Sequence, residues 1–410
     1  MAFAEVFELM KNMTLTTPPA AKKLTREIEK YDWVDALRGY AILMVMMSHS
    51  AHPFFGDVPR TGITYSGNYG VMLFFIASSF TLFSSYRKRK LIDGQDTTRF
   101  FFIRRIFRIA PLYWLACLAY IVYGTYFHSI WLPPTPFDYT NILANVFFIN
   151  GLYLSAINYI PPGGWTIGDE MLFYLITPFL FLFIKNLRQA CILVISTVIA
   201  SIAVQLIVHY IIANYTSHPW VIHRDWVFYF WLPNQFPVFC SGILLLYFIE
   251  KNSIKYQEWM LVTIMAIFFL LSIVQFDLKF PYFLIQPEYI YTAVLFCFAW
   301  CISKTRVNMM IKPINKLGTV SFSAYLIHPV LVELGLWLTS RASGIIELNE
   351  HVNFMVVFLF TIFTTYVLSK WTYKHIEKRG IRLGEQLIDK IRQRSSIQSA
   401  GPGVPIVAKS

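Results

Sequence analysis

The chain has 410 residues, of which 56% are apolar, 18% aromatic and only 14% charged, against roughly 25% charged in an ordinary soluble domain, and this excludes a soluble globular protein. About ten apolar stretches of some 20 residues would use half of such a chain, which suits a single polytopic membrane domain with short loops. The 35 Lys and Arg against 23 Asp and Glu leave a net charge of +12, which in a membrane protein reports the sidedness of loops and gives no reason to expect nucleic acid.

In chain order, residues 1–32 are polar and carry Lys11, Lys22, Lys23, Arg26 and Lys30. The first apolar run starts near Trp33 and lacks a small-residue cleavage site, so it is expected to be a retained membrane helix with no signal peptide before it. Further spans are expected over Tyr69–Tyr86, Ile109–Phe127, Gly168–Ile184, Cys191–Ala213, Trp226–Ile249, Trp259–Phe276, Tyr289–Ser303, Gly318–Leu338 and Val352–Ser369. The result is an all-α polytopic membrane protein of about ten transmembrane helices, with its membrane domain over 33–374.

Alternate threading puts roughly 30 basic residues on the amino-terminal side and leaves Arg60, Arg224, Lys279 and Arg341 opposite, so both termini are expected to be cytoplasmic. The tail, 375–410, is then basic and cytoplasmic, and its charged part up to Arg394 reads as a surface helix. The stretch Asn141–Ile157 is apolar, but counting it as a crossing would throw every later basic loop to the other side. It is expected to be re-entrant or interfacial, and the Pro161-Pro162-Gly163-Gly164 break after it is a candidate wall of a site. A short helix lying in the outer interface fits the same residues. Cys117, Cys191, Cys240, Cys297 and Cys301 all fall in apolar runs without metal or disulfide spacing, and no metal site is expected.

Ionisable groups in a span cost several kcal/mol and call for a reason. The first span, "VDALRGYAILMVMMSHSAHPFF", carries Asp35 and Arg38 near one end and His49 and His52 near the other. Eleven residues at 100° each come within about 20° of three full turns and ~16 Å along the axis, so Arg38 and His49 share a face. In "RFFFIRRIFRIAPLYW", Arg105 and Arg108 share a face with Arg104 beside them, which is either positive-inside anchoring or a phosphate clamp. In "GGWTIGDEMLFYLITP", Asp169 and Glu170 stand at the start of a span, where Glu170 could support an imidazole or merely favour the helix terminus. In "SFSAYLIHPV", His328 lies midway along the ninth span and can equally be a hydrogen-bonded core residue. Gly-rich phosphate loops and nucleophile elbows are absent, which leaves group transfer by His, Arg and carboxylate from a phosphate-bearing carrier to a hydroxyl.

These segments, in this order, resemble the membrane-bound acyltransferase-3 family. The matching residues are Asp35-Arg38-Gly39, Arg38 to His49, "GVMLFFIASS", Arg105 to Arg108, "WTIGDEMLFY" and "SFSAYLIH", spread over about Trp33–Glu377. The resemblance implies transfer of an acyl group, most often acetyl from acetyl-CoA, to a hydroxyl of a surface or lipid-linked sugar such as O-antigen. The resemblance implies that His49 is the catalytic histidine with Arg38 its partner, and that Arg105 and Arg108 bear on handling of acyl-CoA; beside that, the residues themselves suggest His49 as a general base tuned by Glu170, with Arg104 next to the clamp. Asp35, His328, Tyr325 and Trp165 are further candidates from the same motifs. Met72, Ser79 and Phe322 depart from the family pattern and bear on acceptor or pocket shape. A multi-pass protein of the bacterial inner membrane is implied, with any periplasmic partner that completes the transfer being a separate protein. The competing class is a transporter or flippase of an anionic or lipid-linked substrate, with the same Arg and His as ligands; the absence of a visible internal repeat weakens it.

Overall fold

The computed structural model describes residues 31–55, 67–127, 129–133, 136–152, 154–215, 229–251, 263, 287–304, 308–342 and 349–399. Twelve α-helices occur among them and no strand: α1 Asp32–Phe55, α2 Gly70–Asp93, α3 Thr97–Tyr126, α4 Tyr139–Val146, α5 Trp165–Phe183, α6 Leu187–Tyr215, α7 Leu232–Lys251, α8 Pro287–Lys304, α9 Asn308–Thr319, α10 Ser321–Ala342, α11 Glu350–Thr372 and α12 Lys378–Ser399. The described residues are therefore all-helical, as the expected apolar spans require.

Six stretches among the described residues are long and apolar enough to cross a membrane: Gly67–Tyr126, Trp165–Phe183, Leu187–Val208, Leu232–Lys251, Ser321–Arg341 and Glu350–Ser395. The first contains two helices, α2 and α3, joined by a short 3₁₀ turn at Gly94–Asp96. The ten expected crossings include α1, made less apolar by Asp35, Arg38 and two histidines, and α8, which is shorter. The span expected over Trp259–Phe276 lies outside the described residues, as do residues 1–30. Lipid is the natural cover for α6, which exposes Ile192, Ile195 and Ile199 at 55%, 61% and 62%. That apolar stripe would be unfavourable in water.

The core is built on α1. Its buried positions Val34, Leu37, Ala41, Val45 and Ser48 recur at three- and four-residue intervals and pack against α2 and α9. Two glycines set how closely α9 approaches: a Cβ on Gly39 would run into the Ile314 carbonyl, and one on Gly318 into the Asp35 carbonyl. This contact seats the turn of α1 that carries Asp35 and Arg38. The arginines expected before the third span lie instead within one long helix, since α3 begins at Thr97 and Pro111 does not interrupt it.

The segment expected to be re-entrant does not form a full crossing. After the short α4 come Phe148 at φ 60°, two 3₁₀ turns, a cis Ile160–Pro161 bond and Gly163 at φ 77°. Such irregular backbone leaves carbonyls unpaired, which a membrane interior does not tolerate. Buried asparagines supply the missing donors. The Asn145 amide donates to the Asn141 and Ala156 carbonyls at 2.9 and 3.0 Å, and the Asn150 amide to Ile157 and Gly164 at 3.2 and 3.3 Å. As a result α5 starts inside the bundle, with Trp165 to Asp169 all buried.

The charged tail forms α12, as expected of a surface helix, and it packs along α3 with Gly380 and Gly384 against Phe107. Its Arg392 reaches the buried carboxylate of Asp93, which also pairs with Arg104 at 2.8 Å.

Candidate active site

Two clusters stand on consecutive turns of α10. The first is a cavity with about 710 Å³ of empty space, counting its open mouth, enclosed by α1, α2, α3, α5 and α10. Arg38, Arg105 and Arg108 supply its cations and Glu170 its carboxylate; Ser78, Tyr174, Phe322 and Tyr325 complete much of the wall. Three guanidinium groups against one carboxylate make the cavity positive.

The three arginines differ in how they are held. Arg38 is anchored, with Nη2 donating to Thr81 Oγ1 at 2.9 Å and Nη1 3.4 Å from Asp35 Oδ1. Arg105 lies over the rings of Phe101 and Tyr174, 5.6 and 5.7 Å from their centroids. Its Nε is buried without a partner, and among the described residues neither Arg105 nor Arg108 makes an ion pair or hydrogen bond. A buried unpartnered donor on Arg105, with the half-buried Arg108 guanidinium beside it on the cavity wall, suits an anion with several oxygens. A pyrophosphate or phosphate ester fits the donor set.

Glu170 accepts from Tyr174 Oη at 2.6 Å and from Ser78 Oγ. Sequence reasoning offered this carboxylate either as support for an imidazole or as a helix-start group; it lines the cavity with Arg38, and its partner Ser78 is one turn from the Thr81 that holds Arg38. The reason is the irregular run before α5, which starts that helix deep in the bundle. Arg104, expected in the clamp, turns away to Asp93 and Glu385 at 2.8 and 3.0 Å and does not line the cavity. Trp165 packs against Phe75 and Phe230, with centroids 5.9 and 4.8 Å away, and fixes the start of α5 without reaching the cavity.

The second cluster contains His49. Its Nδ1 lies 2.7 Å from Nε2 of His328, whose own Nδ1 is 3.2 Å from the Ala324 carbonyl. A carbonyl only accepts, so His328 carries its proton on Nδ1 and its Nε2 must accept from His49 Nδ1–H. This leaves the lone pair of His49 on Nε2, free to take a proton. The two ring planes are 15° apart with centroids 4.9 Å apart. Nearly parallel rings with two atoms only 2.7 Å apart cannot be in face contact, where atoms stay beyond about 3.4 Å, so they lie edge to edge and the bond is in plane.

Tyr325 joins the clusters. It lines the cavity, its ring centroid is 5.7 Å from that of His328, and its Oη donates to the Gly163 carbonyl at 3.3 Å. Gly163 is required here twice over: its φ is positive, and a Cβ would come within 2.8 Å of Tyr325 Oη. Spacing correctly put Arg38 and His49 on one face, Arg38 lining the cavity and His49 near α10, with Tyr325 between. Sequence reasoning missed Trp131, whose ring centroid is 5.0 Å from that of His49, and Glu333, which holds the segment before it. Trp131 lies outside any periodic or motif-bearing stretch, whereas Glu333 is a carboxylate inside the expected ninth span, a signal that was available and not used.

Residues 31–370 match the family model described as an acyltransferase domain, of the acyltransferase-3 type. The chain belongs to the acyltransferase-3 family. It is also 37% identical over 110 residues to "Protein 2 in picA locus" of Rhizobium radiobacter, which covers 27% of this chain and 53% of that protein. The chain thus spans about half the length of the curated relative it matches. No solved structure matches. Among the described residues no three His, Cys, Asp or Glu side chains gather as a metal site.

Proposed function

We propose that this chain is an integral membrane O-acyltransferase of the inner membrane, carrying an acyl group, acetyl first, from cytoplasmic acyl-CoA to a hydroxyl of a surface or lipid-linked sugar such as O-antigen. The observation that carries the reading is the pair Arg105 and Arg108, without hydrogen bond or ion pair among the described residues, in a cavity whose wall residue Tyr325 stands beside His328, the hydrogen-bonded partner of His49. Family membership supports acyl transfer, and the donor set supports a carrier with phosphates.

On this reading the CoA phosphates bind Arg105 and Arg108, and Arg38 adds charge without moving because Thr81 and Asp35 hold it. The pantetheine arm carries the thioester past Tyr325 towards His49. Nε2 of His49 takes the proton of the acceptor hydroxyl as its oxygen bonds to the thioester carbon. The carbon–sulfur bond then breaks, and the proton passes from His49 to the leaving thiolate. An acyl-histidine intermediate would use the same lone pair as nucleophile, in two steps.

The test is CoA release from acetyl-CoA by purified protein in proteoliposomes, with wild type, His49→Ala and the double change Arg105→Ala/Arg108→Ala. CoA release should depend on His49, and the double variant should bind acetyl-CoA more weakly. A folded H49A protein with full transfer would sink the assignment.

A further inference from the structure

Beyond the His49–His328 pair, the segment following α3 is tied down with unusual care. Glu333 of α10, five residues after His328, receives two donors from it, Ser129 Oγ at 2.6 Å and the Ile130 amide at 2.8 Å, and a third from Tyr123 Oη in the last turn of α3 at 2.6 Å. Ser129 Oγ in turn accepts from the Trp131 amide at 3.1 Å. One carboxylate thereby fixes the backbone from which Trp131 extends. The indole packs beside both histidines of α1, its centroid 5.0 Å from His49 and 5.8 Å from His52.

Trp131 Nε1 is buried and has no acceptor. Tryptophan N–H groups that are buried usually find a partner, and leaving one unmatched is costly. Here it stands next to the imidazole whose lone pair is free, on a segment anchored to the helix that carries His328. A substrate oxygen held against His49 would satisfy it.

We infer that Trp131 is an acceptor-binding residue, its indole N–H donating to an oxygen of the hydroxyl-bearing substrate while the reacting hydroxyl sits at His49, and that Glu333 is the positioning residue for it. This rests on the acyltransferase reading above. The ligand class it selects is a polyhydroxylated one: a sugar carries a further oxygen within reach of every hydroxyl, whereas water or a simple alcohol does not.

The experiment replaces the gene in the source cell by Trp131→Phe, Glu333→Gln and His49→Ala versions and measures acetate released by mild alkali from isolated envelope glycans. Affinity of each purified full-length protein for acetyl-CoA is measured alongside. Phenylalanine keeps an aromatic ring against His49 but removes the donor together with one ring of the indole, whereas E333Q keeps the indole and only loosens its anchorage, so a loss from packing alone would appear in W131F and not in E333Q. The expected result is about a tenfold loss of glycan acetate in W131F, with acetyl-CoA affinity unchanged, and a smaller loss in E333Q. Wild-type acetate in W131F overturns the inference, as does a parallel loss of acetyl-CoA affinity. If W131F does not accumulate in the membrane, E333Q decides by the same comparison. Full glycan acetylation in H49A, or equal acetate from wild-type and gene-deleted cells, removes the underlying acyltransferase reading instead.

Discussion

Replacing His328 tests whether the tautomer of His49 matters to the chemistry. His328 is 1% exposed and makes two hydrogen bonds, one accepting from His49 Nδ1 at 2.7 Å and one donating to the Ala324 carbonyl at 3.2 Å. In His328→Phe the ring volume is nearly kept, but His49 Nδ1 loses its acceptor and the imidazole is free to rotate or to move its proton to Nε2. A buried hydrogen bond of this kind contributes about 1–3 kcal/mol when its loss leaves a group unsatisfied, which is roughly 5- to 150-fold in rate. Orientation of a catalytic base by a third group has effects in the same range or above. The expected result is a fall in kcat of about 10- to 100-fold with the acetyl-CoA KM unchanged, since the cavity arginines are untouched. His328→Gln, whose side-chain oxygen can accept near the position of Nε2, should recover part of the loss. The assay is acetyl transfer in proteoliposomes, with thermal unfolding as a check that both variants fold. A His328→Phe protein with wild-type kcat would refute the reasoning.

Three further outcomes follow from the same geometry. Arg105→Ala/Arg108→Ala removes two unpaired cations from the cavity and should weaken acetyl-CoA binding by about 100-fold or more, at 1.5–3 kcal/mol per charge-assisted bond; titration calorimetry checks this, and binding in wild type should weaken with added salt. Asp93→Ala strands Arg104 and Arg392, but Arg104 keeps Glu385 and Arg392 is 36% exposed, so the cost should be about 2 kcal/mol. It should appear as a lower Tm and as readier proteolysis of α12, with acetyl-CoA affinity retained. Gly318→Ala drives a Cβ into the Asp35 carbonyl and should destabilise by about 1–3 kcal/mol, while shifting the turn that seats Arg38; a thermal melt and an acetyl-CoA titration read the two effects.

Much of this arrangement was legible in the sequence where it depends on helical phase. Arg38 and His49 share a face because three turns separate them, and Arg105 with Arg108 reach one cavity for the same reason. Phase does not separate Arg104 from them, since it stands only about 40° from Arg108. Its partners Asp93 and Glu385 come from the helix before and the tail, and only packing brings these together. The depth of Glu170 in the bundle was not legible because it is set by the 147–164 segment, where Asn145 and Asn150 stabilise a path with no period to read. The union of His49 with His328 spans 279 residues and follows from how α1 and α10 cross, which a single sequence does not encode locally. Trp131 and Glu333 belong to the same category of long-range contact.

Tyr325 and His328 also fix a length. They sit three residues apart on one straight helical ladder, so the step from the cavity wall to the imidazole is set by backbone rise, about 4.5 Å, and not by any loop. A change of side chain at Tyr325 would reshape the cavity wall and leave that step as it is, because the rise belongs to the main chain of α10.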